Sequence, residues 1–237
     1  MIITIDGPTA SGKSSIARLI AKELGIYYLY SGVFYRVLGY RLLHEMGYTL
    51  EMLHNPAVDD VKRMLSACQF TYFYDQAKAE RALVNNIDIT PFLKNAQIDE
   101  AASVVSTCPR VRQIVDHAQR KIATLHDVVV DGRDAGSVVF PEADYKFFLS
   151  ASLEVRANRW LGQQKKNGTE YTREQAAHII AQRDSRDSSR NIAPLKIPVG
   201  AAIIDNSDMN LDQTVALFLA HIKLARKKEG YQNPSLR

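Results

Sequence analysis

Five short apolar runs, several of them rich in valine and isoleucine, are spaced along the chain, and each ends at polar or glycine residues. Runs of this kind are typical of strands that are buried on both faces of a parallel sheet. Because segments with helical spacing separate most of them, the pattern predicts an α/β fold with a doubly wound, five-stranded parallel sheet. The predicted strands are residues 2–5, 27–29, 128–130, 145–149 and 201–204.

The helices are marked by apolar spacing and by their end signals. Residues 13–24 place apolar side chains on one helix face, and Gly25 stands where a helix C-terminus favours glycine. Thr172 and Gln175 have the spacing of a capping box, which predicts a helix that runs towards Arg190. Further helices are predicted at residues 34–46, from about residue 56, at 95–105 and at 109–125.

Three regions depart from this alternation, namely an insertion, a polar segment and the last residues of the chain. Residues 69–74, 81–84 and 87–89 have the pattern of small antiparallel strands around polar turns, which predicts an insertion in the α/β chain. Residues 163–168 are polar enough to predict a mobile loop, and residues 226–237 are expected to form a frayed tail.

Composition excludes several broad classes of protein. With 46% hydrophobic and 24% charged residues over 237 positions, the chain is neither disordered, nor collagen-like, nor a coiled coil. A chain of this length buries enough surface to need no disulfide or structural metal. The pattern of a secretory leader or a membrane span is missing, and there are two cysteines, Cys68 and Cys108, so we expect a reducing cytoplasmic compartment.

The charge pattern favours small anionic ligands. Thirty basic against 26 acidic side chains give a net charge of +4. Ten of the 17 arginines lie between Arg110 and Arg190, singly and at helical spacing, unlike the polybasic tails that bind nucleic acids or membranes. The six histidines show no paired spacing, which excludes a zinc site. We therefore expect neither nucleic acid nor membrane as a partner, and nothing in the sequence requires more than a monomer.

Residues 7–14 match the pattern G-x-x-x-x-G-K-[ST] and lie between a predicted strand and a predicted helix. Such a P-loop presents backbone N–H groups and a helix N-terminus to phosphates. Lys13 is expected to reach the β- and γ-phosphates of ATP, and Ser14 the Mg²⁺ ion that accompanies them. The predicted ATP-binding residues are Gly7, Pro8, Thr9, Ala10, Ser11, Gly12, Lys13, Ser14 and Ser15.

The acceptor site must separate a GTPase, a mechanical ATPase and a small-molecule kinase. The chain has no Asn-Lys-x-Asp motif to read guanine and no Asp-x-x-Gly after the third core strand, so a switch GTPase is excluded. A small-molecule kinase needs a second anion site at the carboxyl ends of the strands. Ser31 and Arg36 follow the second predicted strand, and Arg133 and Asp134 follow the third.

Four segments resemble motifs of the bacterial-type cytidylate kinases, and the resemblance extends over nearly the whole chain. They read Ile-Asp-Gly-Pro at 5–8, Ser-Gly-Val-Phe-Tyr-Arg at 31–36, Asp-Gly-Arg-Asp at 131–134 and Arg-Asp-Ser-Arg-Asp at 183–187. The resemblance implies transfer of the γ-phosphoryl group of Mg-ATP to CMP and dCMP. It also implies one kinase domain with a core at 1–36, 110–155 and 191–226, a monophosphate-binding insertion at 37–109, a helical lid at 156–190 and a flexible tail at 227–237.

The resemblance also assigns roles to individual residues. It implies that Asp134 faces the base of the acceptor, where a carboxylate suits cytosine because it accepts from the N4 amine. Uracil would present O4 to the same carboxylate, so that two acceptors oppose each other. The implied groups are Ser31, Arg36, Arg133 and Arg190 around the acceptor phosphate, Arg183 and Asp187 at the sugar, and Ser103, Arg112 and Asp134 at the base.

Three cations are implied to be catalytic, namely Lys13, Arg133 and Arg159. Arg156 and Arg159 are placed to close over the transferring phosphoryl group, and the alternative is a solvated helix face. Asp131 either steers the hydration shell of Mg²⁺ or is a structural loop carboxylate. A histidine base is not required, because a phosphate monoester with a second pKa near ~6 is already largely ionised at neutral pH.

The spacing of the lid-side residues supports their assignment independently. Arg183, Asp187 and Arg190 follow Ile179 at intervals of four, four and three residues, which places all of them on one helix face. The alternative is that Arg183 and Asp187 form a plain surface salt bridge, worth only a few tenths of a kcal/mol.

Three positions depart from the family pattern. Tyr30 replaces a usually acidic residue, Ala135 a common methionine and Trp160 a frequent arginine. Two rival functions stay open at this point: a kinase for another acceptor such as UMP, and a nucleic-acid-binding P-loop ATPase. Dispersed charge and the lack of an aromatic series on the predicted strands disfavour the ATPase.

Overall fold

The computed structural model describes residues 1–66, 70–75, 79–166 and 168–228. Within them, all five predicted core strands are confirmed and form one parallel sheet with the order β2-β6-β1-β7-β8. The other three strands form an antiparallel sheet, β3-β4-β5, which confirms the predicted insertion. The strands are β1 Ile2–Asp6, β2 Tyr27–Tyr30, β3 Phe70–Asp75, β4 Ala79–Val84, β5 Ile87–Asp88, β6 Val128–Gly132, β7 Tyr145–Ser150 and β8 Ala202–Asp205.

Helices alternate with the core strands. Because consecutive residues of β1, namely Ile3, Thr4 and Ile5, are all fully buried, both faces of the sheet are covered. None of the described helices is long and apolar enough to span a bilayer. They are α1 Lys13–Leu24, α2 Ser31–His44, α3 Val58–Met64, α4 Ala96–Val105, α5 Pro109–Ala123, α6 Leu153–Lys166, α7 Arg173–Ser189 and α8 Leu211–Lys228.

The inserted sheet is fixed to the open edge of β2 by tyrosine side chains. The phenol of Tyr72 donates to the carbonyl oxygen of Tyr28 at 2.8 Å and accepts from the backbone N–H of Tyr30 at 3.1 Å. The phenol of Tyr27 accepts from the backbone N–H of Tyr74 at 2.9 Å. These bonds satisfy backbone groups that an edge strand leaves unpaired. They hold β2, and the residues that follow it, in one position.

Helices α6 and α7 form a hairpin in which the predicted capping box of Thr172 and Gln175 is confirmed. The mobile loop predicted at 163–168 is wrong, because α6 continues to Lys166 and buries Gln164. Glutamine and lysine have high helix propensity, so a polar segment packed against the core stays helical. Asn167, which was part of that prediction, lies outside the described residues.

Several helix ends differ from the predicted boundaries. Helix α2 begins at Ser31 instead of residue 34, because its first two residues, Ser31 and Gly32, give no apolar spacing that marks a helix start. Helix α5 ends at Ala123 instead of residue 125, so Leu125 lies beyond the helix and is 71% exposed. Helix α8 reaches residue 228, so the predicted tail began too early, and residues 229–237 lie outside the described part.

Gly7 follows β1 where two backbone segments meet closely. It has a φ of +151°, and a Cβ built there would lie 2.0 Å from the carbonyl oxygen of Leu149 on β7. We expect Gly7→Ala to lower the free energy of unfolding by about 2 to 3 kcal/mol, since overpacking against backbone forces the strands apart. Urea denaturation followed by circular dichroism measures this. The matched control is Gly162→Ala in α6, where a Cβ meets open space. Equal stability of Gly7→Ala and the wild type would contradict the expectation.

Candidate functional site

The carboxyl ends of the parallel strands open into a cleft of about 520 Å³. Ligands bind at this edge of open α/β sheets. Its walls come from the loop after β1, from the ends of β2 and β6, and from α4, α6 and α7. The structure thus brings together side chains that lie far apart in the sequence. The predicted residues that line the cleft are Thr9, Ala10, Gly12, Lys13, Ser14, Ser15, Ser31, Arg36, Ser103, Arg112, Arg133, Asp134, Arg159, Arg183, Asp187 and Arg190.

The loop at residues 7–14 leads directly into α1, as the motif predicts. The ammonium group of Lys13 donates to the carbonyl oxygen of Pro8 at 2.6 Å and to the hydroxyl of Ser11 at 3.3 Å. Burial, followed by the positive charge of Arg133, lowers the pKa of Lys13 well below its ordinary value. A buried cation beside another cation is stabilised by an anionic ligand, and phosphate is the anion that such loops bind.

Ser14 and Asp131 provide the oxygen donors on which the magnesium prediction depends. The hydroxyl of Ser14 donates to one carboxylate oxygen of Asp131 at 2.6 Å, and the phenol of Tyr28 donates to the other at 2.9 Å. The described residues contain no cluster of three or more histidine, cysteine, aspartate or glutamate side chains that could hold a metal ion. A hydroxyl beside a carboxylate fits Mg²⁺, because this ion binds one or two protein oxygens and completes its shell with water and phosphate.

Arg133 connects three elements of the site. Its Nε donates to Asp187 on α7 at 2.8 Å, and Nη2 donates to the hydroxyl of Thr9 at 3.4 Å. Burial alone would raise the pKa of Asp187, but the charges of Arg133, Arg183 and Arg190 outweigh it and hold the pKa below its ordinary value. Asp187 pairs with Arg133 and, at 3.8 Å, with Arg190. The alternative of a plain Arg183–Asp187 salt bridge is therefore wrong.

The side chains assigned to the base form a buried ionic group. Arg112 and Asp134 make an ion pair with 4% and 9% of their side chains exposed. Arg112 also donates to the carbonyl oxygen of Ser106 at 3.3 Å. The hydroxyl of Ser103 accepts from Arg186 at 2.9 Å, so its own hydrogen remains available to a ligand. The site at this end offers both a carboxylate acceptor and hydroxyl and guanidinium donors.

Asp6 is a buried carboxylate that the sequence analysis did not place in the site. It accepts from the backbone N–H groups of Ala135 at 2.8 Å and Gly136 at 2.7 Å, which begin a π-helical turn directly after Asp134. Burial raises the pKa of Asp6 to about 7, and the two backbone hydrogen bonds oppose that shift. Asp6 therefore fixes the backbone that carries Asp134.

The helical hairpin is attached to the phosphate-binding loop by charged side chains. Asp184 on α7 accepts from the backbone N–H of Thr9 at 2.8 Å and pairs with Arg156, which donates to the carbonyl oxygen of Thr9 at 3.1 Å. Arg159 donates to the carbonyl oxygen of Ser11 at 3.1 Å and to the side chain of Asn206 at 2.9 Å. The alternative of a solvated helix face is wrong for both arginines.

Asp184 and Asn206 were missed as site residues, although the sequence carries a signal for each. Asp184 lies inside the motif at 183–187, between the arginine and aspartate that were assigned to the sugar. Asn206 comes directly after β8, at the same sheet edge at which Gly7 follows β1 and Arg133 follows β6. Because parallel strands end at one edge, a polar residue after each core strand is a candidate.

The three departures from the family pattern each have a structural setting. Tyr30 accepts a hydrogen bond from Arg36 at 2.8 Å. Ala135 is buried in the turn that Asp6 holds. Trp160 lines the cleft, and its ring lies 4.9 Å from that of Tyr171 at an angle of 55°.

A family model described as cytidylate kinase matches residues 3–224 of this chain. The cytidylate kinase of Caldanaerobacter subterraneus subsp. tengcongensis is 38% identical over 96% of this chain and 96% of its own length. That of Chlamydia caviae is 38% identical over 93% of this chain and 97% of its own. That of Thermotoga maritima is 36% identical over 95% of this chain and 97% of its own.

Proposed function

The chain belongs to the cytidylate kinase family, and from this membership we propose that it transfers the γ-phosphoryl group of Mg-ATP to CMP and to dCMP. The products are ADP and the corresponding cytidine diphosphate. The observation that supports this most directly is the cleft in which the loop at residues 7–14 meets three arginines. They are Arg133 after β6, Arg36 of α2 and Arg183 of α7. A donor and an acceptor nucleotide bound end to end require this arrangement.

The donor phosphates are bound by the residues of the loop. Backbone N–H groups and the ammonium group of Lys13 hold the β- and γ-phosphates, and Arg159 stabilises the charge that develops on the group in transfer. Ser14 binds Mg²⁺, with Asp131 as the carboxylate beside it. When bound, the ion neutralises phosphate charge and orients the phosphate oxygens.

The acceptor is bound by the opposite end of the cleft. We assign Ser31, Arg36, Arg133 and Arg190 to its phosphate, because three guanidinium groups at this end supply the charge that a phosphate monoester needs. The sugar is assigned to Arg183 and Asp187, and the base to Ser103, Arg112 and Asp134.

The reaction requires positioning and charge neutralisation more than proton transfer. The acceptor phosphate has a second pKa near ~6, so its attacking oxygen is ionised at neutral pH and no base is needed. Arg133 contacts both the loop, through Thr9, and the helix that carries Asp187, so it is placed between donor and acceptor. Water would otherwise accept the phosphoryl group, and it is excluded when the lid and the insertion close over the core. The lid is at 156–190, the insertion at 37–109 and the core at 1–36, 110–155 and 191–226.

A coupled assay of ADP release tests the proposed function. With ATP and Mg²⁺ present, ADP formation is expected to depend on CMP or dCMP and to be much slower with UMP. A rate that is equally fast without a monophosphate would contradict the proposal, and a rate that rises only with single-stranded nucleic acid would favour the ATPase alternative. We also propose a monomer, because nothing in the sequence requires a second chain.

Asp184 is expected to couple the lid to the donor site. Asp184→Ala removes an acceptor from the N–H of Thr9 and the partner of Arg156, so the KM for ATP is expected to rise about tenfold, the value of one charge-assisted hydrogen bond. The KM for CMP is expected to change less than about threefold. Initial rates at saturating concentrations of the other substrate measure both constants. The control is Asp59→Ala, which removes an exposed aspartate from α3. A selective rise in the KM for CMP would contradict this role.

A further inference from the structure

Arg36 lies at the acceptor end of the cleft, and three different segments hold its guanidinium group. Nε donates to the phenol oxygen of Tyr30 at 2.8 Å. Nη1 donates to the carbonyl oxygen of Leu93 at 2.6 Å and pairs with Asp99 of α4. No hydrogen bond of Nη2 is found within the described part of the chain. Nη2 is therefore the donor that remains for a ligand in the cleft.

The carboxylate and the phenol hold different nitrogens of this guanidinium group. Asp99 pairs with Nη1, and the phenol of Tyr30 accepts from Nε. A guanidinium group is a rigid planar fork, so a partner fixed at Nε determines where Nη2 points. The phenol of Tyr30 is that partner.

The side chain of Tyr30 is itself held in place. Its ring stacks on that of Tyr28 with centroids 6.3 Å apart and an angle of 13°, and its backbone N–H donates to Tyr72 of the inserted sheet. Gly32 leaves room for the ring, because a Cβ at that position would lie 2.7 Å from ring atom Cε2 of Tyr30. The phenol oxygen is therefore a fixed point at the end of β2.

The charge of this partner is as important as its position. A phenol adds no negative charge, so Asp99 is the one carboxylate that pairs with Arg36 among the described residues. Cations are crowded at this end of the cleft. Burial lowers the pKa of Arg183, and the positive charges of Arg133 and Arg36 lower it further. An anionic ligand relieves that crowding.

We propose that Tyr30 is a positioning residue for the acceptor phosphate, acting through Arg36. The phenol oxygen fixes the guanidinium plane so that Nη2 faces the phosphate, and it adds no negative charge to that of Asp99. The inference rests on the proposed function, because it requires a phosphate monoester at this end of the cleft.

Calorimetric binding of CMP and of cytidine to Tyr30→Phe tests the proposal. Phenylalanine keeps the ring and removes only the hydrogen-bond acceptor, so the Kd for CMP is expected to rise about tenfold, the value of a hydrogen bond to a charged group. The Kd for cytidine is expected to stay the same, because cytidine has no phosphate. In turnover, the KM for CMP is expected to rise while kcat stays within about twofold. The matched control is Tyr40→Phe, since Tyr40 lies on the helix that carries Arg36 but contacts Phe92 and His44 outside the cleft.

Two further variants separate positioning from a structural role. In an Arg36→Ala background, Tyr30→Phe is expected to change CMP binding by less than about twofold, because the residue through which Tyr30 acts is gone. Equal losses for cytidine and CMP, or additive effects in the double variant, would each overturn the proposal. A wild-type protein that binds CMP but does not phosphorylate it would contradict the proposed function alone, since these comparisons need binding and no transfer.

Discussion

Replacement of Lys13 by methionine is expected to lower the rate of ADP formation by about a thousandfold, the effect of removing one preorganised charge from a transition state. The methionine has nearly the length of the lysine and retains none of its charge. The β- and γ-phosphates would then lose the one ammonium group that the loop directs at them, while their backbone N–H donors remain. Binding of ATP is expected to weaken much less than turnover, because the charge matters most where negative charge develops.

The stability of Lys13→Met is not expected to fall with its turnover. Burial and the charge of Arg133 lower the pKa of Lys13, which means that the fold holds this cation at a cost. A buried methionine carries no such cost, so Lys13→Met is expected to keep or raise the free energy of unfolding, by up to about 1 kcal/mol. Steady-state kinetics and urea denaturation measure the two effects. The control is Lys22→Met, the same change at an exposed position of α1. Turnover within tenfold of the wild type would contradict the assigned role of Lys13.

The core of the fold was predictable because its signals are local. The apolar runs of β1 and β6 and the spacing of α1 each follow from a few neighbouring residues. The meeting of the loop at residues 7–14 with Arg133 was also predictable, since parallel strands that follow each other through helices end at one edge of the sheet. The order of the strands in the sheet could not be predicted, because it depends on which crossover connections pack best.

Pairings between separate elements could not be predicted in the same way. The alternative for Asp187 was a salt bridge within its own helix, where Arg183 stands one turn away, yet Asp187 pairs with Arg133, which follows β6. Which arginine pairs with Asp187 depends on how α7 packs against the sheet, and residue spacing along the chain does not indicate this packing. The attachment of Asp184 to Thr9 depends on the same packing.

The error at residues 163–168 has a related cause. The polar composition of this segment was interpreted as exposure, but Gln164 is buried and lines the cleft. Polar residues that face a ligand site are indistinguishable by composition from polar residues that face solvent. Helix propensity was the better guide here, because glutamine and lysine favour a helix in either setting.

Replacement of Asp134 by asparagine is expected to reduce kcat/KM for CMP by about 10- to 100-fold and to reduce the preference for CMP over UMP, because the charged acceptor for the N4 amine is lost. From the sequence alone, this variant tests base recognition and nothing else. The structure adds a second effect, since Asp134 is the ion-pair partner of Arg112 and both side chains are almost fully buried. The Nε of Arg112 has no hydrogen bond within the described residues, and apart from Asp134 the guanidinium group donates to the carbonyl oxygen of Ser106 and lies near the charge of Asp116.

The two effects separate in a double variant. Asp134→Asn leaves the buried charge of Arg112 without its partner, so the free energy of unfolding is expected to fall by about 3 kcal/mol. Combining it with Arg112→Gln removes both charges, so stability is expected to return towards that of the wild type while the preference for CMP stays low. Urea denaturation and kcat/KM for CMP and UMP measure these outcomes for each protein. If the double variant regained the CMP preference together with stability, the loss in Asp134→Asn would come from misfolding, and Asp134 would have no part in reading the base.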